Sequence, residues 1–86
     1  MPSQTAVVGS AVGLHARPAA IIAAAASKYD DEITIAMDGE EAVDAASALM
    51  IMTLGAEKGA QVVVESDDET ALAEIVALVE QDLDAE

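Results

Sequence analysis

The chain has 86 residues, of which 17 are acidic and three basic, with one histidine and no cysteine, tryptophan or phenylalanine. A chain this short builds one domain spanning 1–86, and its 53% hydrophobic content is enough to fold it despite a formal charge of -14. The composition excludes disulfides, thiolate metal sites, thiol nucleophiles and a multi-histidine zinc site, and its only cations, Arg17, Lys28 and Lys58, are too few for a nucleic-acid backbone or an anionic membrane.

Thr5 to Val8 is short and β-branched and reads as a strand. Gly9 and Gly13 bracket a loop of small residues that includes Ser10. A block of strong helix formers runs from there to Lys28, with Pro18 placed where a helix tolerates proline, in its first turn. This predicts a helix from about Ala16 to Lys28, with His15 at or next to its N-cap. Ile21, Ile22 and Ala25 or Ala26 are expected to face the core, and Lys28 to sit at the negative end of the dipole.

Asp30, Asp31 and Glu32 form a solvated connection to a half-buried strand, in which Ile33, Ile35 and Met37 alternate with Thr34 and Ala36. Asp38-Gly39 suggests a two-residue hairpin turn, and the chain returns through Ala42 and Val43. Ser47 is placed to cap a short helix carrying Leu49, Met50, Ile51, Met52 and Leu54, which Gly55 ends. Gln61 to Glu65 is a β-branched strand, and Ser66 with Glu69 fits a capping box. In the last helix Leu72, Ile75, Val76, Val79 and Leu83 share one amphipathic face.

The order is therefore β-α-β-β-α-β-α, an α+β class in which the helices pack on one face of an antiparallel sheet. The core should be thin, because alanine is the commonest residue and Tyr29 the sole aromatic. The N-terminus has no basic residue ahead of an apolar stretch, so no secretory leader is expected. The longest apolar run, Ala19 to Ala26, is far short of the roughly 18 residues needed to span a bilayer. The default location is the cytoplasm, and so acidic a chain without an obvious seam is expected to be a monomer.

Several chemistries find no motif: there is no P-loop, no H-E-x-x-H and no G-x-S-x-G. The acidic pairs Asp30/Asp31, Glu40/Glu41 and Asp67/Asp68 fall in loops or turns without calcium-loop spacing, so neither a metal nor a cofactor is expected. His15 is different, being the one side chain of a type that titrates near neutral pH. A phosphoryl group there would meet the free backbone N–H groups of Ala16 and Arg17, the positive end of a helix dipole, and the Arg17 guanidinium. The same field disfavours a second positive charge on the ring, which leaves the imidazole lone pair for attack on phosphorus. Once phosphorylated, the ring lies beside a dianion and protonates more easily, which makes it a better leaving group. That sequence describes a reversible carrier rather than a phosphatase. Alone, a histidine at a helix start is more often a cap or a surface residue. The conjunction with Gly13, Arg17, Pro18 and a small-residue loop favours chemistry.

Gly13-Leu14-His15-Ala16-Arg17-Pro18-Ala19-Ala20 resembles the active-site signature of HPr, the histidine-containing phosphocarrier family of the phosphoenolpyruvate:sugar phosphotransferase system. Ala45-Ala46-Ser47, a short apolar helix and Leu54-Gly55 resemble the family's second landmark. The resemblance implies an open-faced β-sandwich, a four-stranded antiparallel sheet with three helices on one side. It implies that His15 accepts phosphate on Nδ1 from phospho-enzyme I and passes it to the A domain of a sugar-specific enzyme II. Arg17 matches the arginine that meets the phosphoryl group. Ser47 matches a serine that a dedicated kinase phosphorylates in some Gram-positive members, although its ordinary role is that of an N-cap. Ala46 departs from the basic or amide residue that many members carry before that serine.

A second departure concerns partners. Many members carry basic residues along the first helix, whereas here Ala23 to Ala26 occupy that stretch and only Lys28 is basic. Docking should then rest on apolar contacts, with Ala48, Leu49, Met50 and Met52 as candidates. Helical spacing does not bury all of them together with Ile51 and Leu54, and ordinary core is the competing role for each. Three other functions remain open: a regulatory branch of the same family acting on nitrogen or carbon metabolism, a catalytically idle interaction domain, and an acyl carrier protein with Ser47 bearing the prosthetic arm. The last lacks the usual Asp-Ser-Leu and would be all-helical.

Overall fold

The computed structural model describes residues 2–11 and 13–81. Its elements follow the expected order: β1 (Ser3–Val7), α1 (Ala16–Ala26), β2 (Ile33–Met37), β3 (Val43–Asp44), α2 (Ala48–Thr53), β4 (Gln61–Ser66) and α3 (Glu69–Glu80). The strands form one antiparallel sheet in the order β1-β4-β2-β3. Period-two alternation sorts its two faces. Ala6, Ile33, Ile35, Val62 and Val64 enter the core shared with the helices. Ser3, Thr5, Val7, Thr34, Val63 and Glu65 lie on the opposite face, exposed or half-buried.

Small side chains let these layers approach closely. Ala19, Ala45 and Ala71 are fully buried beside Ile22, Ile35, Ile51 and Ile75. Along α1 the buried positions are Pro18, Ala19, Ile22, Ala23, Ala25 and Ala26, one continuous stripe. Ile21 sits at the margin of that stripe and is only half-buried, contrary to expectation. On α3 the expected face is buried at Leu72, Ile75, Val76 and Val79; Leu83 lies outside the described residues.

Five local expectations need correction, most of them because sheet pairing wins over a local signal. β1 begins at Ser3 rather than Thr5, because β4 recruits Ser3 and Gln4 opposite Glu65 and Val64. The Asp38-Gly39 turn is not a two-residue hairpin: β2 and β3 pair Ile35 with Val43, a register one residue longer. Gly39 takes φ 81° while Asp38 keeps a negative φ, and Glu40 N–H donates to Met37 O at 2.9 Å. A single positive φ at the third position fits a type II turn rather than the type I′ of tight hairpins.

The capping box is displaced as well. Ser66 is held in β4 opposite Ile33, with its N–H on the Pro2 carbonyl, so it cannot cap α3. Asp68 does so instead, its carboxylate accepting from the N–H groups of Thr70 and Ala71 at 2.9 and 3.2 Å. The buried Ser66 hydroxyl accepts from Asp68 N–H at 3.1 Å, which avoids an unpaired polar group in the core. α1 ends at Ala26, two residues short of Lys28. Lys28 Nζ reaches across to Glu74 Oε2 on α3 at 2.8 Å instead of meeting the α1 carbonyls. The Tyr29 hydroxyl donates to the other oxygen of Glu74, so one carboxylate gathers both groups at the α1 exit.

Candidate functional site

The chain between β1 and α1 is tied down at both ends. Gly9 N–H donates to Val79 O at 3.0 Å, and the buried Ser10 hydroxyl donates to Gln81 O at 3.2 Å, which anchors the loop to the end of α3. At its far end, Leu14 N–H donates to Ala56 O at 2.9 Å, and Leu14 itself is buried. Gly13 takes φ +75°, and a β-carbon there would overlap the Ala56 carbonyl oxygen and lie 2.8 Å from the Glu57 α-carbon. Only glycine satisfies both conditions.

His15 follows directly, as the N-cap of α1, with extended backbone (φ -87°, ψ -164°). Its carbonyl accepts the first helical bond from Ala19 N–H at 2.8 Å, but its side chain makes no capping hydrogen bond. The imidazole is thus exposed and uncommitted to the helix, unlike an ordinary N-cap. The first turn also leaves donors open. Pro18 has no N–H, and among the described residues the N–H groups of Ala16 and Arg17 donate to no protein acceptor. Ala16 and Arg17 are exposed beside His15, and Pro18 is buried beneath them. Among the described residues Arg17 makes no ion pair, so its guanidinium is available to an incoming anion.

No cleft encloses this group among the described residues. The described residues hold no cluster of metal-ligating side chains either. The arrangement is therefore an exposed imidazole, two open backbone donors and one guanidinium side by side on the surface. It can present an anion to another molecule, but it has no walls with which to exclude water.

Ser47 lies elsewhere, as the half-buried N-cap of α2, its hydroxyl accepting from Met50 N–H at 3.3 Å. Asp44 supports the same turn, its carboxylate accepting from Ala46 N–H and its carbonyl from Ser47 N–H. Within α2, Ile51 is fully buried, and this turns Leu49 (69% exposed) and Met50 (40% exposed) outward. Ala48 and Met52 are half-buried against the core. The four candidate docking residues therefore divide into two exposed and two that also pack inward.

Comparison with known proteins gives the family. The family model described as the PTS HPr component phosphorylation site matches residues 2–81. The chain belongs to the HPr family. It is 45% identical over 71 residues to the phosphocarrier protein HPr of Streptomyces coelicolor, covering 83% of this chain and 76% of the relative. HPr-C-His of Thermoanaerobacter tengcongensis superposes with a TM-score of 0.88 at 35% identity, covering 100% and 99% of the two chains. A structure described as an HPr dimer from the same organism gives 0.73 at 34% identity, covering 99% and 100%. An HPr-family chain is a phosphocarrier, and its partners belong in general terms to the phosphotransferase system. The four-stranded sheet also sets aside the all-helical acyl carrier.

The contact of Gly13 and Leu14 with Ala56 was not anticipated. The signature contains Gly13, but no local pattern pairs it with a residue more than forty positions away.

Proposed function

We propose that His15 takes a phosphoryl group from phospho-enzyme I and passes it to the A domain of a sugar-specific enzyme II. The observation that carries this reading is an exposed imidazole at a helix N-cap that makes no capping bond. The ring nitrogen, Nδ1 by family resemblance, attacks phosphorus as the bond from phosphorus to the donor breaks. The open N–H groups of Ala16 and Arg17 and the Arg17 guanidinium take up charge on the phosphoryl oxygens. No cofactor takes part. The chain acts as acceptor and donor rather than as an enzyme, and each partner supplies the cleft that this surface lacks.

The partners dock on α2 and its surroundings. The outward position of Leu49 and Met50 beside the buried Ile51 supports this, with Ala48 and Met52 at the margin. Ser47, at the head of the same helix, is the regulatory position for a serine kinase. A phosphate there would lie on the helix terminus and block docking by charge and bulk. We read 1–86 as one phosphocarrier domain, a cytoplasmic monomer in the sugar-uptake rather than the regulatory branch. Among the described residues no helix is long and apolar enough to cross a membrane.

The test is phosphate transfer from phosphoenolpyruvate with enzyme I from the same source. An acid-labile adduct on His15, seen by phosphorus NMR and mass spectrometry, is the expected product. An acid-stable label, or one confined to Ser47, rejects the proposal.

A further inference from the structure

We infer that Met50 is a redox-sensitive modification site, at which a hydroperoxide converts the docking surface from apolar to polar. The inference rests on the docking role proposed above for α2. The chain contains no cysteine, so thioethers are its only oxidisable sulfur. Among the described residues these are Met37, Met50 and Met52, and their surroundings differ. Met37 is half-buried at the end of β2, and Met52 is half-buried against the core. Met50 is 40% exposed on the outward side of α2, next to Leu49 and one residue from the buried Ile51 that fixes the helix orientation. Oxidant access therefore favours Met50.

The step balances without help from the protein. The Met50 sulfur donates a lone pair to one peroxide oxygen, the S–O bond forms as the O–O bond breaks, and the second oxygen leaves as water after taking up the proton. Sulfur loses two electrons and hydrogen peroxide gains them. The product adds one oxygen and replaces a flexible apolar end with a strong dipole.

The consequence follows from the charge of the chain. With only three cations, docking through basic side chains has little to draw on, and the apolar contact at α2 carries more of it. A sulfoxide buried in an apolar contact without a partner then weakens the main source of affinity. His15 lies on another element, so its intrinsic chemistry should not change.

Hydrogen peroxide titration followed by peptide mass mapping tests the site, and enzyme I kinetics on the same samples test the effect. Met50 should gain its oxygen before Met37 and Met52. The KM of enzyme I for the oxidised protein should rise about tenfold at nearly constant kcat. Treatment with methionine sulfoxide reductases should reverse it, and Met50→Leu should show the same KM before and after peroxide, whatever its starting value. Oxidation of Met37 or Met52 ahead of Met50, or a Met50 sulfoxide with unchanged KM, overturns the inference while phosphate uptake by the reduced protein still stands. If the reduced protein takes up no phosphate from phospho-enzyme I, the functional reading falls and the switch falls with it.

Discussion

Leu14 N–H donates to the carbonyl oxygen of Ala56 at 2.9 Å, which joins the segment leading into His15 to the loop that leaves α2. Gly13 makes the contact possible, since its positive φ and missing β-carbon admit the Ala56 backbone. The contact holds the entry to α1 and the exit of α2 in one fixed relation. On the proposed reading, a partner docking on α2 would thus find His15 at a set position. Gly13→Ala should cost about 2–3 kcal/mol, combining left-handed strain with displacement of the Ala56 backbone. Urea unfolding monitored by far-UV circular dichroism measures it, and an unchanged midpoint would show that the two loops separate freely.

His15 and Arg17 should divide chemistry from stability. Neither side chain is buried, and the imidazole caps nothing. His15→Ala should abolish phosphate uptake while shifting unfolding by no more than about 0.5 kcal/mol. Arg17→Met should lower the rate of transfer by about a hundredfold, as expected for loss of one charged donor to a phosphoryl group. A His15→Ala protein that still carries acid-labile phosphate would contradict the mechanism.

Ile51 is the anchor that orients α2, being the helix's one fully buried side chain. Ile51→Ala should destabilise the fold by about 3 kcal/mol through lost burial and the cavity left behind. That is a large share of the stability of so small a domain. Leu49→Ala, at an exposed position, should leave the unfolding midpoint nearly unchanged yet raise the KM of enzyme I. Equal unfolding losses in the two variants would mean that α2 is oriented differently.

Glu74 sets the pH limits of the join between α1 and α3. The Lys28 ammonium is the main cause that holds its carboxyl below the usual carboxylate range. The Tyr29 hydroxyl adds to this, and partial burial opposes it. A lowered folded value means that this stabilisation is present above the unfolded value and disappears as pH falls through the folded one. Tyr29 moves the other way. Its hydrogen bond to Glu74 pushes its ionisation above the ordinary 10.0, with burial and the charges of Glu74 and Asp68 adding to it. Its contribution is present below 10 and disappears as pH rises through the raised value. Glu74→Gln should flatten both flanks of a plot of stability against pH. Thermal unfolding across the acid and alkaline ranges reads this directly.

Salt should act oppositely on folding and on most charge-driven docking. A chain with a formal charge of -14 repels itself in the compact state, so added salt should raise its unfolding midpoint. The exposed Lys28–Glu74 pair is too minor to reverse that trend. Enzyme I binding should respond only weakly to salt, because the cations that would steer it are nearly absent from α1. Calorimetric titration over a range of potassium chloride measures the second effect, and a steep loss of affinity would show that charge pairs carry the interface.

Much of this was legible from residue order alone. The seven elements, the His15 signature, the Ser47 cap and the apolar face of α3 depend on side chains within a few positions of one another, and local preference is enough to reveal them. Where two local solutions were nearly equal, distant contacts chose between them. Ser66 and Asp68 are both acceptable caps, and the pairing of Ser66 with Ile33 reserved the serine for the sheet. Ile21 and Ile22 are alike in sequence, and only the position of α1 against its neighbours buried Ile22 completely.

The site divides in the same way. The candidate nucleophile, its neighbouring arginine and its helix start were set by one short stretch of chain. That His15 stands uncapped, that Leu14 is held by Ala56, and that Leu49 and Met50 turn outward around a buried Ile51 were decided only when the sheet and helices packed. Each of these outcomes is a relation between residues far apart along the chain. Their energies exist only once the intervening backbone has given up its freedom, so no local pattern can encode them.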